Sequence, residues 1–147
     1  MESMDIDLSW SSFYDFKKLE KYEKATHDFR AQIKIAQQIE MTAGMEYFDD
    51  KKPGYEDNEF FKKEMEKAEV WYKKAAESDE GVALFNLGLH YFRRMDLTKE
   101  QQEEKGFDLI KRAAYEKFDE EAFHWLDHYC SLREIVNPPK RSDITEL

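Results

Sequence analysis

Two histidines one helical turn apart, His124 and His128, are the first side chains in this sequence whose spacing permits chemistry. An i, i+4 pair puts two imidazoles on one face of a helix, a geometry that can offer two ligands to zinc. Asp127 and Cys130 lie close by in the chain. The pattern lacks the glutamate of a His-Glu-x-x-His protease motif, and no third ligand is evident. A structural or partner-facing role is the simpler reading of the pair, and no metal or other cofactor is expected. Cys130 stands two positions from His128 and so off its helix face. It sits among large apolar residues, where an inert buried thiol is expected rather than a nucleophile. As the chain's one cysteine, it can form neither an internal disulfide nor a cysteine-rich zinc site.

Other chemistry finds less support. The 33 acidic residues guarantee that some carboxylates fall near one another by chance, and without a pocket they name no acid and base. No Gly-rich phosphate-cradling loop is present. The basic pairs Lys17-Lys18, Lys62-Lys63, Lys73-Lys74 and Arg93-Arg94 are dispersed among acids, as on solvated helix faces, and form no nucleic-acid stripe. A net charge of −10 repels nucleic-acid phosphate and anionic lipid. It favours a basic partner, or it serves solubility alone. Catalysis is therefore not expected.

The elements that must position such residues read as helices. Five glycines and three prolines in 147 residues leave little of the punctuation that strand-rich folds need. Charged residues interleave with apolar ones, as on amphipathic helices. Eleven Phe, eight Tyr and three Trp supply core area without a disulfide or structural metal. No run approaches the roughly 18 apolar residues of a membrane span. The first seven residues carry three acids and no basic-then-apolar leader pattern, so a cytoplasmic chain is expected. Helices are predicted over residues 12–24, 28–48, 58–77, 80–95, 99–117 and 120–136. Ser11 or Ser12 is predicted to cap the first, and Thr98 with Gln101 to form a capping box on the fifth. Acids at Glu56-Asp57, Asp79-Glu80 and Asp119-Glu120-Glu121 suit helix starts, and Asn137-Pro138-Pro139 ends the last helix.

Two segment types recur along this series. Ile39-Glu40-Met41-Thr42-Ala43-Gly44-Met45-Glu46-Tyr47-Phe48 aligns with Ala83-Leu84-Phe85-Asn86-Leu87-Gly88-Leu89-His90-Tyr91-Phe92, and more weakly with the stretch from Ala122 to Cys130. Between them, Lys67-Ala68-Glu69-Val70-Trp71-Tyr72-Lys73-Lys74-Ala75-Ala76 aligns with Lys105-Gly106-Phe107-Asp108-Leu109-Ile110-Lys111-Arg112-Ala113-Ala114. The spacing of about 38–44 residues lies in the range of helical solenoids. Gly44 and Gly88 are predicted to open a gap in helices of the first type, and Ala75-Ala76 and Ala113-Ala114 in those of the second. Large neighbours such as Leu84, Leu87, Tyr91, Trp71 and Tyr72 interdigitate around the gaps.

These residues resemble the Sel-one-like repeat family, relatives of the tetratricopeptide repeats. Ala83, Leu87, Gly88, Tyr91, Gly106, Ala113 and Ala114 match one unit. Gly44, Tyr47, Lys67, Ala68, Trp71, Tyr72, Lys74, Ala75, Ala76 and Glu77 match the unit before it, and Ala122 and Leu126 open a third, incomplete one. The likeness covers roughly residues 28–135, and its most specific part is Trp71 to Glu77. It departs from the family in the acidic stretch 49–58, in Asp96-Leu97-Thr98, and in Asp127 where glycine is usual.

The resemblance implies an all-α superhelix of about two and a half Sel-one-like hairpins with an extra N-terminal helix. One domain is expected: residues 1–27 as an N-terminal extension, 28–136 as repeats and 137–147 as a mobile tail. It implies a protein-binding adaptor and carries over no catalytic residues. The groove side of such a superhelix would present Met41, Met45 and Phe48, then Phe85, Leu89, Phe92 and Arg93, then His124 and His128. These same residues could instead pack on neighbouring helices, or be covered by the N-terminal helix with Trp10, Phe13, Tyr14 and Phe16. A narrower alternative is a cytoplasmic immunity protein that neutralises a toxic, basic effector enzyme. The chain itself is expected to be a monomer or weak oligomer.

Overall fold

A computed structural model describes residues 15–47 and 59–132, with the side chains of all but 45–47 and 130–132. Among the described residues the fold is all-α, with six helices: α1 (Phe16–Thr26), α2 (Phe29–Tyr47), α3 (Glu59–Ala76), α4 (Gly81–Arg93), α5 (Lys99–Tyr115) and α6 (Glu120–Leu132). No helix among these residues is long and apolar enough to cross a membrane. The expected boundaries hold for most helices to within a residue or two. The predicted end of the sixth and the prolines after it lie outside the described residues, as do Ser11, Ser12, Glu56, Asp57 and the aromatics from Trp10 to Tyr14.

Caps explain where the helices begin. Asp15, not a serine, caps α1, and its carboxylate accepts from the Lys17 and Lys18 amides. Asp28 accepts from the Arg30 amide at 2.9 Å, and Asp119 from the Ala122 amide at 3.1 Å. Each satisfies a donor that the first helical turn leaves unpaired. Thr98 and Gln101 form the capping box at the start of α5. Asp79 departs from its expected part at a helix start. It adopts the left-handed backbone region and accepts from Lys117 Nζ at 2.6 Å and Arg112 Nη2 at 3.3 Å. His27, Asp79 and Phe118, with φ of 52°, 59° and 58°, all stand in that region. Each follows an odd-numbered helix and precedes an acid and the next helix, so the same tight turn recurs three times.

The packing is sequential. The most extensive helix contacts are within the pairs α2–α3 and α4–α5, followed by α3–α4, α5–α6 and α1–α2, and α2 also touches α4. Leu19, Ala31 and Ile35 join α1 to α2. Ile33, Ala68, Tyr72, Ala75, Ala83 and Leu87 join α2, α3 and α4. Leu84, Phe85, Ile110, Ala114, Ala122 and Leu126 join α4, α5 and α6. The core is thus a row of layers, each shared by neighbouring helices.

Gly88 and Gly106 let α4 and α5 approach closely. A Cβ on Gly88 would lie 2.5 Å from Ile110 Cγ1 and 3.0 Å from the Gly106 carbonyl oxygen. One on Gly106 would lie 2.8 Å from the Gly88 carbonyl oxygen and 2.7 Å from the Phe92 ring. The predicted gap at Gly88 is therefore real, and Gly106 is its counterpart. Gly44 corrects the prediction: an added Cβ there meets nothing within 4 Å among the described residues. The α4–α5 connection is closed by Arg94, which donates to both carboxylate oxygens of Asp96 at 2.8 and 2.7 Å, while its carbonyl accepts from Gln102 Nε2.

Candidate functional site

The α2, α3 and α4 helices bring together a polar cluster that lies between the core and a small cavity. Glu40 on α2 is its hub. Glu40 Oε1 accepts from Tyr72 Oη on α3 and from Arg93 Nη2 at 2.9 Å. Glu40 Oε2 accepts from Arg93 Nε at 3.0 Å and from His90 Nδ1 at 3.0 Å, both on α4. Arg93 Nη2 also donates to Tyr72 Oη at 3.2 Å. An ionised carboxylate only accepts, so the bond assigns the His90 proton to Nδ1. His90 Nε2 is then left buried without a partner, its ring against Tyr72 and Tyr91 at centroid distances of 5.0 and 5.6 Å.

Electrostatics follow from this arrangement. Burial alone would raise the Glu40 pKa, but the bonds from His90 and Arg93 and the guanidinium charge outweigh it, and the net shift is downward. Burial, with the Glu40 charge beside it, holds the Tyr72 phenol well above its ordinary value. Glu40 is therefore an anion at neutral pH, with two donors on each oxygen. A carboxylate so occupied has no oxygen left to take a substrate proton. The cluster clamps three helices together, and two of its nitrogens, buried His90 Nε2 and Arg93 Nη1, have no hydrogen-bond partner among the described residues.

Beside the clamp lies a cavity of about 230 Å³ lined by Glu40, Gly44, Phe61, Met65, Arg93 and Met95. Met95 and Met41 are both exposed, at 47% and 54%, and Met41 precedes Gly44 by one turn of α2. The open space at Gly44 is thus the wall of this cavity.

The predicted groove residues separate into groups. Met41 is open to solvent. Arg93 is half-exposed but anchored on Glu40. Met45 belongs to α2, but its side chain and the whole of Phe48 lie outside the described residues. Phe85, at 5% exposure, is a core residue with Ile110, Ala113 and Ala114, so its ring is not on an open surface. Leu89 packs on the same layer. Phe92 fills the space between α4 and α6, with ring centroids 4.9 Å from Trp125 and 5.3 Å from Tyr129. Trp125 and Tyr129 stack at 4.7 Å, and Tyr129 donates to Glu103 at 2.6 Å. His124 and His128 are exposed on α6. Among the described residues no three His, Cys, Asp or Glu side chains converge as a metal set, and the Cys130 thiol lies outside them.

Glu40, Tyr72 and His90 were not read from the sequence as one site. A signal did exist: Glu40 aligns with Leu84, which is 2% exposed. An acid at a core position requires a buried partner, though not one of known identity. Comparison with protein-family models, curated proteins and solved structures found no match to this chain.

Proposed function

We propose that this chain is a non-catalytic protein-binding module built of about two and a half Sel-one-like hairpins. In this reading α2–α3 and α4–α5 are the full hairpins, α6 opens the third, and α1 is the added N-terminal helix. Three observations support the repeat reading. The left-handed turn recurs after α1, α3 and α5, the core is layered between neighbours, and α2 touches α4 across one hairpin.

The observation that carries the binding function is the face around the α2–α4 cavity. Exposed Met95 lines a largely apolar hollow that also holds Glu40 and Arg93, and exposed Met41 stands one turn of α2 before Gly44 in its wall. Methionines adapt to varied partner shapes, and an apolar centre with one charged anchor is how compact interfaces concentrate affinity. The Glu40 carboxylate below takes two donors on each oxygen, which suits a scaffold better than a catalyst. The partner is another protein met in the cytoplasm, with Met41, Met95 and Arg93 at the contact. Met45, Phe48, Leu89, His124 and His128 are the further candidates from the predicted groove.

The net charge of −10 favours one narrower form of this reading, an immunity protein that captures a basic toxic enzyme. Affinity capture from host lysate, followed by reconstitution from purified components and a salt titration, tests both. One basic enzyme bound one-to-one and inactivated, with salt mainly slowing association, is the result expected of an immunity protein. Several micromolar partners are expected of an adaptor. A wild-type chain that forms no complex contradicts the proposal.

A further inference from the structure

A second pocket, away from the methionine face, has the marks of a built site. It lies where the α1–α2 turn meets the end of α3, holds about 450 Å³, and is lined by His27, Asp28, Phe29, Gln32, Lys74, Glu77 and Ser78. Gln32 is 3% exposed, yet its side-chain amide has no hydrogen-bond partner among the described residues. Its amide atoms are not among the sealed atoms that lack a partner, so the amide opens onto the pocket, offering N–H donors as well as an oxygen acceptor. Just behind the wall, buried Glu23 repeats the pattern. Its Oε2 has no hydrogen bond, and its ion pairs with His27 and Lys74 are long, at 3.5 and 3.6 Å.

The charged groups around the pocket decide what it would take. The Lys74 side chain is 42% exposed, and its ammonium is shared between Glu23 at 3.6 Å and the Trp71 ring at 5.0 Å. Asp28 is engaged by Arg30 and by the Tyr22 hydroxyl. His27 leans on Glu23. Glu77, exposed at the rim, has no cation among the described residues. The unmatched groups are thus one carboxylate and one side-chain amide, whose oxygen accepts, with the Phe29 ring lining the same pocket. We infer that this pocket receives an arginine side chain of the partner protein, its stem on Phe29 and its guanidinium shared between Glu77 and the Gln32 amide oxygen. A planar guanidinium offers several donors at once and stacks on an aromatic face. This inference rests on the protein-binding reading and adds a second anchor to it.

The test uses the full chain, ¹⁵N-labelled, at low salt, with acetyl-arginine amide as the probe and acetyl-citrulline amide as its neutral counterpart. The Gln32 side-chain amide signal should move saturably with the arginine compound and not with the citrulline one. Glu77→Gln should weaken that binding by about fivefold with the backbone spectrum otherwise retained. A Gln32 signal that ignores the arginine compound, responds equally to citrulline, or is unaffected by Glu77→Gln overturns the assignment. In the reconstituted partner complex, Glu77→Gln should lower affinity. An unchanged complex overturns the partner-arginine inference while leaving protein binding intact. A wild-type chain with no partner sinks the protein-binding reading, and the inference with it, even if the arginine amide binds.

Discussion

Gly44 and Gly88 occupy matching places in the aligned segments, so the same substitution at both isolates what packing does. In each helix, alanine in place of glycine gains about 0.5–1 kcal/mol of backbone propensity. At Gly44 the new methyl meets nothing within 4 Å among the described residues, so Gly44→Ala should stabilise by about that amount. At Gly88 the methyl would stand 2.5 Å from Ile110 Cγ1 and 3.0 Å from a backbone oxygen. Ile110 is fully buried and a carbonyl on the facing helix cannot rotate away, so α4 and α5 must part. Overpacking of this kind costs about 2–3 kcal/mol, at the upper part of its usual range. After the propensity gain, Gly88→Ala should destabilise by about 1–2 kcal/mol. Urea unfolding followed by circular dichroism gives both numbers, and thermal melts should move in opposite directions by a few degrees. Gly88→Ala as stable as wild type, or stabilised like Gly44→Ala, would refute the close approach of α4 and α5. Gly88→Leu should be worse than the alanine variant.

Three other outcomes follow from particular contacts. Glu40→Gln leaves the Arg93 guanidinium and the His90 imidazole with a weaker partner and should cost about 2–3 kcal/mol in urea unfolding, less than a fully buried pair because Arg93 is 44% exposed. The Glu40 carboxyl titrates below its ordinary 4.5, so its contribution is present above that pH and is lost as pH falls through the lowered value. The stability gap between wild type and Glu40→Gln should therefore narrow from about pH 4.5 downward, and a gap that is constant from pH 7 to 3 would count against the clamp. Thr98→Ala removes one half of the capping box and should cost about 1 kcal/mol by the same assay.

What the sequence made legible was local. Helical periodicity placed five of the helix starts to within a residue or so, and Thr98 with Gln101 is a short-range signal that needs no tertiary knowledge. The Asp15 cap was missed because serines nearby compete for the same part, and a cap is decided by where the apolar stripe meets the next helix. Gly44 and Gly88 look alike in sequence, yet among the described residues only Gly88 has atoms of a facing helix within 4 Å of its Cβ position. A missing side chain does not say what lies across from it. The Glu40 clamp was illegible for a further reason: its bonds join residues 32, 50 and 53 positions apart, and no local pattern encodes such pairings. Phe85 and Arg93 stand eight residues apart on one helix, but one is buried among alanines while the other reaches a carboxylate two helices away. Helical phase places residues on a side, and the packing of neighbours then decides which of them remain open.

The most direct test of the protein-binding claim is calorimetric titration of the reconstituted partner with wild type and with Met41→Glu/Met95→Glu. Both residues are exposed, so the double variant should keep its helicity and melting behaviour. The account predicts one saturable site for wild type and a loss of at least tenfold in affinity for the variant, as expected for two central apolar contacts. Equal affinity in the folded variant would contradict the assignment of this face.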